Sequence, residues 1–540
     1  MNSAPGTSQI CRISPEFAMN VFAALQAAYP ADRSRVAIET DTGLLYTWQD
    51  IERATAMLAN LLTSLDLHGR TLDDGTYLPP VVAAHTDKSV EALLLYLATL
   101  RAGMVYLPLN PAYRQAEMDY FLGDAQPAVV ICAPGDFQWL SRVAFQKRVR
   151  HVFTLGTDRT GTLLDRASFM SDQHRPDVFE STSLCAILYT SGTTGRSKGA
   201  LLTHSNLLSN ARTLIKHWGW RPDDVLLHAL PIFHIHGLFV ACHCALLSGS
   251  KLLWLGKFEP QAVLQHLPQA TVFMGVPTMY SRLLAQPGLT RNACNGMRLF
   301  VSGSAPLLPS AFADFAQRTG HTILERYGMS ETGMLCSNPY RPADGPRLAG
   351  SVGPALPGVE VRVVDDAGAP CPAGAVGHIQ VRGPNVFMGY LGMPDKTEES
   401  FTDDDWFKTG DVGKIGAGQA DKGYVSIVGR ARDLIITGGF NVYPAEIEDH
   451  LNQLPGVAES AVFGVPHPDF GEGVVAAVVP QPGAHLTEAS LIDQAKQRIA
   501  NFKVPKRVFV LAELPRNAMG KVQKNLLQKE HAALFGATSP

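Results

Sequence analysis

A chain of 540 residues, 46% hydrophobic and 18% charged, is long enough for two or more globular domains with substantial cores. Its formal net charge of −3 provides no basic surplus, and Arg101 or several histidines interrupt its longest apolar stretches, so we predict neither a nucleic-acid nor a membrane partner. Eight irregularly spaced cysteines are typical of reduced thiols, and the first twenty residues lack the apolar core of a secretory signal; we therefore expect a cytoplasmic protein.

From about residue 80 to 310, short apolar runs alternate with helical patterns. Strands are predicted in LPPVVAAH, GMVYLPL, PAVVICA and TVFMGV, with helices over about 87–101 and in PTMYSRLLA. This alternation favours an α/β fold with layered parallel sheets. Between about 350 and 428, the stretch GVEVRVVDDAGAPCPAGAVGHIQVRG instead predicts a β-hairpin and a smaller β-rich unit.

A domain boundary is predicted near GRARD, residues 429–433. Beyond it, helical patterns (PAEIEDHLNQL, EASLIDQAKQRIA) and apolar runs (AESAVFGV, GVVAAVVP, RVFVLAEL) indicate a compact α+β domain. We therefore assign residues 1–430 to a large N-terminal domain and 431–540 to a small C-terminal domain.

The stretch LYTSGTTGRSKG, residues 188–199, indicates a phosphate site. The apolar strand CAILYT leads into a loop of glycines and hydroxyl side chains, and HSNLLSNARTLIKHW follows as a helix. Glycines let backbone N–H groups turn towards an anion, and Lys198 adds a positive charge. Because no Gly-Lys pair precedes Ser or Thr, an ordinary P-loop is disfavoured.

Four later stretches add candidate nucleotide ligands. ERYGMSET places the aromatic Tyr327 four residues before Glu331, and WFKTGD ends in Asp411, a carboxylate suited to ribose hydroxyls. GRARDLIITGGF contains Arg430 and a glycine pair, and PRNAMGKVQK contains Lys521. Each stretch alone is equally typical of a cap, a turn or a solvated charge.

Taken in this order, the five stretches resemble the acyl-adenylate-forming superfamily of acyl-CoA synthetases, luciferases and peptide-synthetase adenylation domains. LPIFHIHGLF, MGVPTMYSRLL and RLFVSGSAPLL are similar in particular to malonyl-CoA synthetases. The resemblance implies a large ATP-binding domain, over which a mobile C-terminal domain rotates. It also implies a two-step reaction, in which ATP adenylates a carboxylic acid with release of pyrophosphate and CoA then displaces AMP.

The resemblance also implies roles for individual residues, with ATP, Mg²⁺ and CoA as the small molecules bound. The implied catalytic residues are Thr190, Lys198, His234, Glu331 and Lys521, of which Thr190 and Glu331 also hold Mg²⁺. The implied ATP site comprises Thr190, Ser191, Gly192, Thr193, Thr194, Gly195, Lys198, Ser304, Ala305, Pro306, Glu325, Arg326, Tyr327, Gly328, Met329, Ser330, Thr332, Asp411, Arg430 and Lys521. Gly438 and Gly439 leave room for the pantetheine arm of CoA, and Arg432 is the hinge.

The acyl pocket is assigned partly by this resemblance and partly by charge. His234, Ser304 and Met329 border it by resemblance. If the acid is malonate, its second carboxylate needs a cation, because an unpaired buried charge is very costly. We predict that Arg282 supplies it, since a guanidinium can bind a carboxylate at two points. The expected partner is thus a small dicarboxylate, malonate or methylmalonate, with no obligate protein partner.

Other interpretations stay open on the sequence. The acid could be another short aliphatic or aryl acid, a free carrier protein could replace CoA, and luciferase-like oxidation uses the same scaffold. His234, His236, Cys242 and Cys244 could suggest a metal site, but their spacing does not fit a zinc knuckle, and GLFVACHCALL is typical of a buried helix.

Overall fold

The computed structural model describes residues 18–177, 179–190, 197–437, 440–517 and 520–536. The strands are β1 (Ala18–Met19), β2 (Val36–Thr40), β3 (Leu45–Thr47), β4 (Arg70–Thr71), β5 (Tyr77–Leu78), β6 (Val81–His85), β7 (Val105–Pro108), β8 (Val129–Cys132), β9 (His151–Thr154), β10 (Phe179–Glu180), β11 (Leu184–Thr190), β12 (Lys198–Thr203), β13 (Val225–His228), β14 (Lys251–Trp254), β15 (Val272–Gly275), β16 (Leu299–Ser302), β17 (Leu324–Met329), β18 (Gly333–Ser337), β19 (Glu360–Val364), β20 (Gly377–Arg382), β21 (Gly389–Tyr390), β22 (Phe407–Ile415), β23 (Val425–Arg430), β24 (Ile435–Thr437), β25 (Phe440–Val442), β26 (Val457–His467), β27 (Gly471–Pro480) and β28 (Arg507–Val510).

Helices connect most of these strands. They are α1 (Val21–Ala27), α2 (Trp48–Ser64), α3 (Val90–Arg101), α4 (Gln115–Ala125), α5 (Phe137–Gln146), α6 (Thr162–Ala167), α7 (His204–His217), α8 (His243–Leu247), α9 (Pro260–His266), α10 (Pro277–Leu284), α11 (Pro309–Thr319), α12 (Pro394–Glu399), α13 (Pro444–Asn452), α14 (Glu488–Lys496) and α15 (Lys524–Glu530). A π-helix, His236–Cys242, precedes α8. None of the described helices is long and apolar enough to cross a membrane.

Two large sheets form the body of the N-terminal part. The first has the order β21-β12-β11-β7-β6-β8-β9, and the second the order β18-β17-β16-β15-β13-β14-β2-β3. Their central strands are parallel. Helix α3 is apolar on every side and fully buried, as expected for a helix within a core, and the Ser89 hydroxyl caps its first turn. The main hydrophobic cluster includes this helix and residues of both sheets.

Two smaller sheets follow along the chain. The antiparallel sheet β19-β20-β22-β23 contains the predicted hairpin, β19 with β20. It ends at Arg430, and the next strand, β24, belongs to a separate sheet in which β26, β27 and β28 pack against α13, α14 and α15. The predicted fold class, a large α/β part with layered parallel sheets followed by a small α+β part, is confirmed.

One predicted local structure is wrong. The sequence suggested that the phosphate stretch connects a strand to a helix, but β12 begins at Lys198 and pairs antiparallel with β11. Helix α7 starts only at His204. Thr190 and Lys198 are thus opposite each other at the end of a β-hairpin, because ALLT continues the apolar run into the first sheet.

Candidate active site

The second sheet brings several predicted site segments to one edge. Strands β13, β15, β16 and β17 run parallel, and β14 and β15, the next strands after β13, lie on opposite sides of it. In open α/β sheets, ligands bind in the crevice at the carboxyl ends of the strands where the order reverses in this way. His234 follows β13, Ser304 follows β16, and Tyr327 lies near the end of β17.

A buried carboxylate, Asp411, connects the second sheet to the third sheet, β19-β20-β22-β23. Tyr327 donates its hydroxyl to Asp411 Oδ2, and Arg430 Nε lies 2.8 Å from Oδ1. Arg430 is opposite Asp411 in the pairing of β22 with β23 and also donates to the Thr409 carbonyl. Burial and the neighbouring carboxylate raise the pKa of Tyr327, so the phenol remains a donor. The carboxylate and the aromatic ring are therefore held in one fixed arrangement.

Glu325 is a second buried carboxyl group on β17. Burial raises its pKa to about 8, although backbone N–H groups of Gly350 and Leu307 partly counteract this. Its Oε1 atom has no hydrogen-bond partner. An unpartnered buried oxygen two residues before Tyr327 on the same strand indicates a position where a polar ligand atom can bind.

Thr190 and Lys198, the ends of the paired strands β11 and β12 (the phosphate hairpin), lie beside Glu331, which is 5% exposed. Thr190 Oγ1 donates to Glu331 Oε1 at 3.2 Å, and the Tyr390 hydroxyl donates to the same oxygen at 3.2 Å. The Lys198 ammonium lies 4.2 Å from the centroid of the Tyr390 ring. Burial raises the pKa of Glu331 and lowers that of Lys198. Residues 191–196, which include the predicted ligands between Thr190 and Lys198, lie outside the described residues.

Arg326 provides a buried cation at the same edge. The residue is 3% exposed, and its guanidinium lies against the backbone of Gly303, where a Cβ atom would be 2.6 Å from Arg326 Cζ. Nη2 donates to Ser304 Oγ at 3.5 Å, whereas Nε has no partner. Burial lowers the pKa of Arg326 to about 9, which leaves it charged at neutral pH. Ser304 has a φ of 72°, an unusual conformation for a residue other than glycine.

Two neutral histidines, His234 and His236, lie near the Arg326 guanidinium. Burial, then the charges of Arg326 and Lys521, lower the pKa of His234 to about 4. Burial also lowers the pKa of His236, whose Nδ1 lies 3.5 Å from Ser304 Oγ. The Lys521 charge also contributes to lowering the pKa of His234, which agrees with the packing of Gly520, its neighbour in sequence, against Thr278 on α10.

A tight loop carries Lys521 to this position. The Lys521 backbone N–H donates to Asn517 Oδ1 at 3.0 Å, and Arg516 donates to the Gly520 carbonyl. Gly520 has a φ of 74° and packs directly on α10: a Cβ atom there would lie 2.5 Å from Thr278 Oγ1. The site thus combines residues from the large N-terminal part and the small C-terminal part of the chain.

Comparison with known proteins shows that both parts of the chain match enzyme family models. Residues 24–391 match the family model described as AMP-binding enzyme, and residues 446–521 match the AMP-binding enzyme C-terminal domain. This chain belongs to the AMP-binding enzyme family. It is 36% identical to the mitochondrial malonate–CoA ligase ACSF3 of mouse (Mus musculus) over 486 residues, covering 82% of this chain and 80% of the mouse protein.

This AMP-binding enzyme also resembles solved structures. It is 49% identical to ATP-bound MatB from Rhodopseudomonas palustris, with a TM-score of 0.90 over 96% of this chain and 100% of that one. The apo structure of MatB covers the same shares of both chains, but its TM-score is 0.79. The arrangement of this AMP-binding enzyme is thus more similar to the ATP-bound structure.

Arg282 lies one helical turn after Thr278, the residue that contacts Gly520 of the Lys521 loop, and its role as the malonate cation stays a prediction. Its side chain is exposed on α10, whereas Met279, Tyr280 and Leu283 form the buried face of that helix. A second candidate cation is the buried Arg326, which the sequence assigned only to the ATP site. Arg326 can be buried there because Gly303, which directly follows β16, has no Cβ atom, a contact that the pattern of β17 alone does not reveal.

The remaining predicted residues are placed as follows. Gly328 and Met329 end β17, and Ser330 and Thr332 follow it. Ala305 and Pro306 follow Ser304 in the segment after β16. Arg432 lies in a 3₁₀ turn, Ala431–Asp433, between β23 and β24. Gly438 and Gly439 are outside the described residues.

The stretch GLFVACHCALL, which contains Cys242 and Cys244, forms buried helical structure, as predicted. Cys242 and Cys244 are fully buried, and His228 Nε2 contacts Cys242 Sγ at 3.5 Å. The described part of the chain contains no group of three or more His, Cys, Asp or Glu that could hold a metal ion.

Tyr390 is a residue that the sequence reasoning missed, because GYLGMP suggests only a turn.

Proposed function

We propose that this enzyme is an AMP-forming malonate–CoA ligase. A carboxylate oxygen of malonate attacks the α-phosphorus of ATP, and pyrophosphate leaves. The thiol of CoA then attacks the acyl carbon of malonyl-adenylate, so that a thioester forms, AMP leaves and the thiol proton is released. The malonate–CoA ligase similar to this chain along most of its length supports the proposal.

The observation that carries the malonate assignment is the buried guanidinium of Arg326. A monocarboxylic acid would leave this charge without a partner in the acyl pocket, which is energetically costly. A dicarboxylate presents one carboxylate to ATP and the other to Arg326, whose fork of donors suits two oxygens. The neutral His234 and His236 then border the substrate without adding charge. An extra methyl changes affinity by only about 1–3 kcal/mol, so methylmalonate is expected as a poorer or comparable substrate.

The ATP site follows from the contacts around β17 and β22. Tyr327 packs on the adenine, and the unpartnered oxygen of Glu325 accepts a hydrogen bond from its exocyclic amine. Asp411, held by Tyr327 and Arg430, accepts from the ribose hydroxyls. Lys198 and residues 191–196 bind the β- and γ-phosphates, and Thr332 contacts the α-phosphate. Lys521 lies between the acid and the α-phosphate, where it stabilises the charge that develops.

Magnesium fits this arrangement. Mg²⁺ takes oxygen ligands and is usually bound through one or two carboxylates together with substrate phosphates. Glu331 supplies the carboxylate and Thr190 a hydroxyl, and both lie next to the phosphate hairpin. When bound, the ion neutralises phosphate charge, while Glu331 and Thr190 fix its position.

The second step requires Lys521 to withdraw so that CoA can enter beside Gly438 and Gly439. We propose a domain boundary between residues 430 and 431 with Arg432 as the hinge, since β23 ends the third sheet there and β24 begins another. A few loop residues are sufficient to absorb such a rotation. We also propose a cytoplasmic location, in agreement with the free thiols of the described cysteines.

A pyrophosphate-release assay over mono- and dicarboxylates of two to eight carbons tests the assignment. We expect malonate to give the highest kcat/KM. Replacing Arg326 by Met should lower kcat/KM for malonate by about 3–5 kcal/mol, the scale for one unpaired buried charge, and should slightly improve butyrate. Arg282→Leu is assayed alongside, because Arg282 is the alternative cation, and Arg142→Leu, an exposed arginine on α5, is the control with a change within about 0.5 kcal/mol.

Three results would count against the proposal. Equal losses of Arg326→Met on malonate and butyrate would show that Arg326 does not select the second carboxylate. Preference for an aryl or longer acid would assign a different substrate. Pyrophosphate release with malonate but thioester formation only on a carrier protein would replace CoA as the acceptor.

A further inference from the structure

Tyr390 lies between the two charged groups that flank the phosphate hairpin. Its ring centroid is 4.2 Å from the Lys198 ammonium, and its hydroxyl donates to Glu331 Oε1 at 3.2 Å. One side chain therefore contacts both the cation for the phosphates and the carboxylate for the metal.

The backbone holds Tyr390 firmly in this position. Strand β21 pairs antiparallel with β12, so that Tyr390 is opposite Ala200, two residues after Lys198. On its two sides, the Leu391 N–H donates to the Gly199 carbonyl at 2.8 Å, and the Tyr390 N–H donates to Thr397 Oγ1 at 2.9 Å. Any movement of Tyr390 would therefore disturb the strand that begins with Lys198.

The ring itself is also fixed. Tyr390 is 7% exposed, and the Phe387 ring packs against it edge-on at 4.8 Å. The hydroxyl of this fixed ring points to Glu331 and donates to its Oε1 atom. A rigid aromatic side chain can offer its face to a cation and its hydroxyl to an anion at the same time.

This arrangement keeps two opposite charges apart. Within the described residues, no ion pair joins Lys198 to Glu331, although each contacts Tyr390. A direct pair would be mutually satisfied, and ATP and its metal ion would have to break it. A cation over a ring and a carboxylate holding hydroxyl donors instead keep their capacity for phosphate and metal.

We propose that Tyr390 is a positioning residue for adenylation, which holds Lys198 and Glu331 separately in place before ATP binds. The inference rests on the proposed ATP and magnesium sites. It predicts that the ring and the hydroxyl contribute differently: the ring to binding of the phosphates through Lys198, and the hydroxyl to the gain in ATP affinity that magnesium provides through Glu331.

Isothermal titration calorimetry of ATP binding, with Mg²⁺ and with EDTA, separates the two contributions. Tyr390→Phe retains the ring; its ATP affinity in EDTA should stay near wild type, while the magnesium-dependent gain falls by about threefold to tenfold. Tyr390→Leu loses both groups, and its affinity in EDTA should also fall, by about fivefold to thirtyfold. Tyr106→Phe, which removes another buried tyrosine hydroxyl in the same sheet, should match wild type in both titrations.

Single-turnover conversion of supplied malonyl-adenylate and CoA provides the second readout. It uses neither the β- and γ-phosphates nor their metal ion, so both Tyr390 variants should retain the wild-type rate within about twofold, whereas a variant with a damaged fold would lose this step too. The proposal is overturned if the magnesium-dependent gain of Tyr390→Phe equals that of Tyr106→Phe. If wild type itself shows no magnesium-dependent gain in ATP binding, the proposed magnesium site fails before the role of Tyr390 is reached.

Discussion

Burial of single charged groups determines how this site responds to pH, and Glu325 is the clearest case. Its pKa is raised from 4.5 to about 8, so the folded protein binds this proton more tightly than the unfolded chain. The resulting stability is fully present below pH 4.5 and is lost as pH rises through about 8.

Glu325→Gln removes this titration while keeping a carbonyl oxygen. Between pH 5 and pH 9, the unfolding free energy of the variant should therefore rise relative to wild type, by about 2–5 kcal/mol over the full range. Thermal midpoints of the ATP-free proteins across this pH range measure the trend. Parallel curves for the two proteins would mean that Glu325 titrates as an ordinary glutamate.

At the same scale, the malonate cation has two candidates, Arg282 and Arg326, of which the sequence predicts only Arg282. PTMYSRLL places Arg282 on a short helix where either face could be buried, and a guanidinium near the acyl segments was a reasonable choice. The burial of Arg326 depends on Gly303, a residue more than twenty positions away that becomes a neighbour only when β16 and β17 pair. A single-residue charge argument cannot anticipate such a long-range contact.

Most elements, by contrast, could be predicted from local pattern. Apolar runs such as VVAAH and VFMG are strands, and PTMYSRLL forms a helix with Pro277 at its first position, where its missing N–H costs nothing. The failure at the phosphate hairpin has a specific cause: Lys198 and Gly199 have low strand preference, and only pairing with β11 and β21 makes them a strand. The predicted element type is therefore wrong at Lys198 and Gly199, where tertiary pairing overrides local preference.

Contact between the Lys521 loop and α10 makes a prediction at the scale of elements. Gly520→Ala introduces a Cβ atom 2.5 Å from Thr278 Oγ1, at a φ of 74° that alanine rarely adopts. Adenylation should slow by about tenfold or more, because displacing Lys521 by a fraction of an ångström misplaces a charge stabiliser. Additional Thr278→Ala, which removes the clashing atoms, should restore part of the rate.

A matched control separates the clash from backbone strain. Gly483 has a φ of 81° in the same part of the chain, but a Cβ atom there meets nothing within 4 Å. Gly483→Ala should therefore leave adenylation unchanged. Stopped-flow measurement of pyrophosphate release compares the four proteins, and failure of the double variant to recover any rate would show that the loop does not dock through this contact.

At the scale of the whole molecule, the two parts of the chain form one site. The greater similarity to ATP-bound than to apo MatB and the packing of Gly520 against Thr278 both agree with an arrangement suited to adenylation. Thioester formation needs the space beside the acyl group for CoA. The proposed function therefore requires the chain to adopt two arrangements in turn, and we propose that Lys521 serves only the first.

Single-turnover kinetics of the two half-reactions in Lys521→Ala tests this central claim most directly. Formation of malonyl-adenylate from ATP and malonate should slow by about 10²–10³, the usual effect of removing one preorganised charge stabiliser. Conversion of supplied malonyl-adenylate and CoA to malonyl-CoA and AMP should proceed at nearly the wild-type rate. Equal slowing of both half-reactions would contradict the account, because Lys521 would then support the fold or both steps rather than adenylation alone.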